Sequence, residues 1–189
     1  MTELLPAQRP QLGQQIVRLK VAHHLGDDAQ KQVVLLGVRG YYLNSLGVAG
    51  RNDRGVYDDA LFVCAPHSFS AFNANTDPSG QRKGTGTGAG KGMAVLNSGT
   101  WQYKPGLHRG KYQAFRQAAE VTVTRDGDPP YEDTGWFGIN IHKGGWQTTS
   151  SAGCQTLPPE QWDHFRTTLN NELAHQGQKQ FTYLLTQGD

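Results

Sequence analysis

A histidine and a cysteine twelve positions apart, His142 and Cys154, are the residues of this chain with the most chemistry to offer. They sit in Ile139-Asn140-Ile141-His142-Lys143-Gly144-Gly145 and in Ser150-Ser151-Ala152-Gly153-Cys154. A thiol attacks a carbonyl carbon as its thiolate, and a nearby imidazole can take the proton and later hand it to a leaving amine. The small residues around both leave room for a substrate backbone. The N–H groups of Gly153 and Cys154 could meet the oxyanion that develops. The pattern points to acyl transfer. It predicts a depressed thiol pKa and fast alkylation near neutral pH, lost on His142→Ala.

Such a pair works only if rigid elements hold it. Trp136–Ile141 alternates like a strand and would deliver His142 at its end, and Gly144 and Gly145 let the chain turn back toward Cys154. After the cysteine, Pro158-Pro159-Glu160 opens a helix whose apolar stripe is Trp162, Phe165, Leu169 and Leu173, stopped by Gly177. Upstream, residues 11–25 carry Leu12, Ile16, Leu19 and His23 at helical spacing. Strand-like runs follow at 33–38, 59–65, 68–72 and 121–125, and Phe181–Leu185 closes the chain. The fold class expected is α+β, mainly β, in one domain over residues 1–189, with residues 1–10 as a disordered tail.

The bulk properties are compatible with that plan. A chain of 189 residues can bury a real core, and 24 glycines and 9 prolines imply many turns. A formal charge of +2 is too mild to argue for nucleic acid. No stretch approaches a membrane span, and the first ten residues lack the basic start and apolar core of a secretion signal. Cys64 lies in the apolar run Ala60–Ala65 and reads as a buried free thiol. The glycine-rich stretch within residues 79–92 reads as a flexible surface loop. Lys91 has Thr85 six residues before it and Gly92 after it, where a phosphate-binding loop needs Gly and Ser/Thr. No cofactor or metal is expected: Cys154, His142 and His164 could be gathered around zinc, but no C-x-x-C or H-x-x-x-H pair supports that.

His142 followed by Ser151-Ala152-Gly153-Cys154 resembles the catalytic signature of the L,D-transpeptidases, the YkuD-type peptidoglycan enzymes. The match covers residues 138–157. The segments Gly40-Tyr41-Tyr42 and Asn52–Asp59 also look like those of phage- or prophage-encoded proteins with this motif. The resemblance implies a β-sandwich of the L,D-transpeptidase type, with an early helix and one after the cysteine. It implies Cys154 as nucleophile, His142 as base, and the backbone carbonyl of Lys143 orienting the imidazole. The substrate implied is a peptidoglycan stem peptide, whose acyl group passes from the cysteine to an amine or to water. Two positions depart from the family pattern. Ala152 stands where a histidine is usual, and Gln155-Thr156 where an apolar residue and Arg or Asn are usual. Both leave the nucleophile and base in place; the first removes an auxiliary group and the second a cation or amide that helps bind substrate, so hydrolysis is favoured over cross-linking.

Substrate-binding candidates are Ser151 and Gln155 beside the motif, Trp146 with Trp101 and Tyr103 as cleft aromatics, and Arg54 or Asp58 for the charged ends of a stem peptide. The other histidines, His108 among them, receive no role. The expected place of action is the bacterial cell wall, for a protein made in the cytoplasm: a phage lysin or an injected antibacterial effector. A non-catalytic wall-binding or phage structural module and a peptidase acting on proteins are the rival readings.

Overall fold

A computed structural model describes residues 4–86 and 90–188. It is mainly β, with two α-helices among the described residues: α1 (Gln14–Leu25) and α2 (Pro159–His175). The strands are β1 (Val34–Arg39), β2 (Asp59–Cys64), β3 (Phe69–Ala74), β4 (Ala94–Leu96), β5 (Gly99–His108), β6 (Tyr112–Gln117), β7 (Val121–Arg125), β8 (Tyr131–Gly135), β9 (Ile141–Lys143), β10 (Gln155–Leu157) and β11 (Phe181–Gln187). Eight of them form one mixed sheet in the order β10-β9-β6-β5-β11-β1-β2-β3, and β4, β7 and β8 form a second. A bridge between Asn75 and Thr156 joins the two outer strands, so the large sheet nearly closes on itself.

The central strands β1 and β2 are apolar on both faces because both faces are covered. Leu35, Leu61 and Val63 join one core with α2, whose Trp162, Phe165, Leu169 and Leu173 are all buried as their spacing predicts. Val34, Leu36, Ala60 and Phe62 face the other way, onto α1. The contact face of α1 differs from the expected stripe. Val17 and Val21 are buried, while Ile16 and Leu19 are 49% and 62% exposed. Both pairings have helical spacing, and the β-branched pair is the one that lies against β1.

Three further expectations change. Residues 4–10 are docked rather than a free tail: Leu4 O accepts the Tyr57 N–H (2.7 Å) and Gln8 O accepts the Tyr42 hydroxyl (2.8 Å). Residues 1–3 lie outside the described residues. Only Ile141 of the run Trp136–Ile141 enters a strand, because the Gln117 side chain takes the N–H groups of Phe137 (3.2 Å) and Ile139 (2.7 Å) that a neighbouring strand would otherwise bind. The glycine-rich stretch has contacts to the segment after β7 that its composition does not announce. Gly84 N–H donates to Asp126 O (3.0 Å) and Arg82 N–H to the Asp126 carboxylate (3.0 Å), while 87–89 lie outside the described residues. Cys64 is free and buried, as its surroundings imply.

Candidate active site

Strands β9 and β10 run parallel, with Gln155 opposite Ile141 and Thr156 opposite His142. That register sets Cys154 beside Asn140, whose N–H points at Sγ (3.4 Å). The thiol also lies 3.4 Å from Gly138 O. The connecting loop is clamped. Ser79 Oγ accepts the Ser151 N–H (2.7 Å), Ser151 O accepts the Ser79 N–H (2.8 Å), and the hydroxyls of Ser79 and Thr149 are bonded at 2.7 Å. Two glycines are needed here. Gly153 has φ +149°, and a Cβ there would meet Ala94 O at 2.7 Å. A Cβ at Gly144 would collide with the Tyr57 hydroxyl, which instead donates to Gly145 O (2.8 Å).

His142 is almost wholly buried, and its Nδ1–H donates to Lys143 O at 2.7 Å. That bond fixes the tautomer and leaves Nε2 with its lone pair. The structure brings His142 and Cys154 together and adds a third group, His108, from the tip of the β5–β6 hairpin. The ligand-capable atoms of the three lie within 4.8 Å of one another. The two imidazole centroids are 4.4 Å apart, Tyr112 stacks on His108 at 5.1 Å, and the Asn140 amide meets His108 Nδ1 at 3.0 Å. Arg109, beyond His108 in the turn, has φ +50°, uncommon for a residue with a Cβ. A cleft of about 680 Å³ opens on His108, His142 and Tyr112. An adjoining one of about 500 Å³ is lined by His108, Arg109, Gly138, Asn140 and Cys154.

The electrostatics favour a neutral resting pair. Burial pushes His142 down to about 4, against the opposing pull of Lys143 O, with His108 and Arg109 adding to the fall. Burial pushes the Cys154 thiol up to about 11, with the Asn140 N–H and Arg109 pulling it back. His108 is lowered too, by burial and by Arg109. The expected depressed thiol pKa is therefore not met at rest. A thiol beside an unprotonated imidazole can still react if the proton moves to Nε2 as sulfur bonds to carbon.

The remaining predicted site residues are placed as follows. The Gly153 N–H is taken by Ser151 Oγ (3.0 Å), which removes it as an oxyanion donor. The Cys154 N–H has no protein acceptor among the described residues and is the donor left for that role. Ser151 is buried, and its hydroxyl also donates to Cys154 O (2.6 Å), so it shapes the turn and is not free to hold substrate. Gln155 points into the core, accepting the Tyr183 hydroxyl (3.0 Å) and donating to Gly153 O (3.2 Å). Arg54 forms a two-pronged pair with Asp126, both contacts at 2.7 Å, and ties residues 51–56 to the end of β7. Asp58 is fully buried and accepts the Asp53 N–H (2.7 Å). Neither lines the two clefts. Trp146 is 73% exposed and lines neither, and Tyr103 belongs to the core. His164 lies against Phe72, away from the cysteine.

His108, Tyr112 and Asn140 are the site residues the sequence reading missed. A usable signal was present: Arg109-Gly110 separates two runs with strand character, which makes His108 the last residue before a hairpin turn. Among the described residues no helix is long and apolar enough to cross a membrane. Comparison of the chain with protein-family models, with curated proteins and with solved structures finds no match.

Proposed function

We propose that this protein is a cysteine-dependent acyl-transfer enzyme acting on peptidoglycan stem peptides, with water favoured over an amine as acceptor. The observation that carries the acyl-transfer reading is the His142 imidazole. It is neutral at rest, locked in one tautomer by Lys143 O, and next to a cysteine that borders an open cleft. Cys154 Sγ attacks the carbonyl carbon while its proton passes to His142 Nε2, and the Cys154 N–H meets the oxyanion. His142 then protonates the leaving amine, and water releases the acyl group from sulfur. Stem peptides as substrate are supported by the resemblance of His142 and residues 151–154 to the L,D-transpeptidase signature, and an L,D-transpeptidase-like arrangement of the β domain belongs to the same proposal. So does action at the bacterial cell wall.

The raised thiol pKa favours a second reading, a non-catalytic wall-binding module. Mass spectrometry of sacculi and soluble muropeptides, incubated in chelator with wild type or Cys154→Ala, separates the two. Shortened stem peptides with wild type alone support the hydrolase. New cross-links support a transpeptidase. Unchanged muropeptides in both samples leave the binding module.

A further inference from the structure

Acyl transfer needs one imidazole, and this cleft has two. His108 comes from a hairpin more than thirty residues upstream and is held by its own partner, so its position beside His142 and Cys154 calls for an account. We propose that His108, His142 and Cys154 form a site for a borderline-soft divalent cation, zinc foremost, with a coordination position open to the cleft.

The donor set is the first argument. Zinc centres that keep a place for an exogenous ligand are held by three protein ligands, and imidazole nitrogen and thiolate sulfur are both donors that zinc takes. Distance is the second. Zinc-bound nitrogen and sulfur at roughly 2.0–2.3 Å from the metal imply spacings of roughly 3.5 Å between ligand atoms. The three atoms already lie within 4.8 Å of one another, so closing on an ion takes shifts of side chains and none of strands. The partners behind the rings are the third. His142 Nδ1–H is bonded to a backbone carbonyl (2.7 Å) and His108 Nδ1 to the Asn140 amide (3.0 Å). Metal-binding histidines are oriented in this way, one nitrogen anchored and the other left for the ion. Asn140 Oδ1 is buried and unpartnered, so the amide can present either donor or acceptor to His108 and suit either tautomer.

Access agrees with this. His108 and Cys154 border one cleft, and His108 and His142 the other. His142, whose Nδ1–H is bonded to Lys143 O, keeps a lone pair on Nε2 and can give it without losing a proton. The thiol does lose one: R–SH + M²⁺ gives R–S–M⁺ + H⁺. Arg109 is the nearby charge opposing the cation. Occupancy would engage the sulfur and the base together, so a bound ion and acyl transfer exclude one another. The site would thus hold the protein in a latent, metal-capped state.

The test is titration of the chelator-stripped, full-length protein with Co²⁺, read by absorbance. Expected are a sulfur-to-cobalt charge-transfer band saturating at one equivalent, release of one proton, and displacement of the band by Zn²⁺. Cys154→Ser should abolish the band, and His108→Ala and His108→Gln should weaken binding by about 10-fold or more. Both His108 variants are first shown to be folded by urea unfolding. Zn²⁺ should also slow iodoacetamide alkylation of Cys154 in wild type and not in the His108 variants. No sulfur-to-cobalt band in wild type under excess Co²⁺ would overturn the proposal. Unchanged affinity in both His108 variants would do the same, since the thiol would then bind without the triangle. These readouts need no substrate, so they succeed or fail separately from the muropeptide experiment.

Discussion

His142 and Cys154 border open space, whereas Asp58, Asp59 and Asp77 are buried and line neither cleft; the bridge between Asn75 and Thr156 connects the two regions. Burial shifts protonation in both regions. In the cleft it lowers His142 and raises Cys154. In the buried network it raises Asp58 and Asp59, with neighbouring carboxylates adding to the effect. The difference is in what the shifted groups face. Asp59 accepts the N–H groups of Gly40 and Thr76, both at 2.5 Å, and has no opening. Arg39, buried among them, donates to Thr76 Oγ1 (2.9 Å) and Thr76 O (2.8 Å) and faces Asp77 (3.5 Å). That network holds the segment leading to Ser79, which clamps the loop before Cys154. A perturbed carboxyl is therefore a sign of burial, and it marks a reacting site only where burial ends at a cleft. Arg54 and Asp58 are polar side chains whose partners are structural.

The widest separation between the two regions should come from deletion of one group in each. Cys154→Ala should lower turnover of stem peptides by about 10⁴-fold and cost only about 1 kcal/mol of unfolding stability. Arg39→Ala should do the opposite first. It leaves the buried Asp77 carboxylate without its cation and Thr76 without two hydrogen bonds, and should cost about 3–5 kcal/mol, read from the urea midpoint. An unmoved midpoint in Arg39→Ala would break the assignment of the network to structure.

Stability against pH should then show opposite signs. Native His142 resists protonation down to about 4, while an unfolded histidine takes its proton near 6.5. Stability should therefore fall as pH drops through that window, by about 1.4 kcal/mol per pH unit, and His142→Asn should flatten this limb. Asp58 and Asp59 hold protons in the native state that the unfolded chain releases above its ordinary carboxylate value of 3.8. Their contribution should fall as pH rises from that value toward their raised ones, and Asp58→Asn should flatten that trend. Urea unfolding across a pH series reads both limbs, and a trend unchanged in Asp58→Asn would sink the second claim.

Tyr57 touches both regions, since it belongs to the segment before Asp58 and its hydroxyl holds Gly145 O. Tyr57→Phe should cost about 1 kcal/mol in urea unfolding and lower turnover several-fold by loosening the loop after His142. The smallest effect is expected at Trp146, which is 73% exposed and outside both clefts. Trp146→Ala should leave stability within about 0.5 kcal/mol of wild type. A large rise in KM would return it to the substrate site.

Features whose contacts are short-range were legible along the chain. The stripe Trp162, Phe165, Leu169 and Leu173 is buried, and β2 pairs with β3 through a short turn. His142 and the carbonyl beside it lie on β9 and Cys154 immediately precedes β10, which pairs with β9 after one short connection, so their meeting follows from local geometry. The remaining choices depend on long-range packing. Ile16 and Leu19 have the same helical spacing as Val17 and Val21, and the packing against β1 selects the valines. Ser151, Gln155, Arg54 and Asp58 have side chains that suit a ligand or a fold equally well, and only their partners Cys154 O, Tyr183, Asp126 and the Asp53 N–H show which. His108 reaches the cleft because β6 lies between β5 and β9 in the sheet. Strand order of that kind is set by the energetics of the whole core, with contacts far apart in the chain, and no local spacing of residues encodes it.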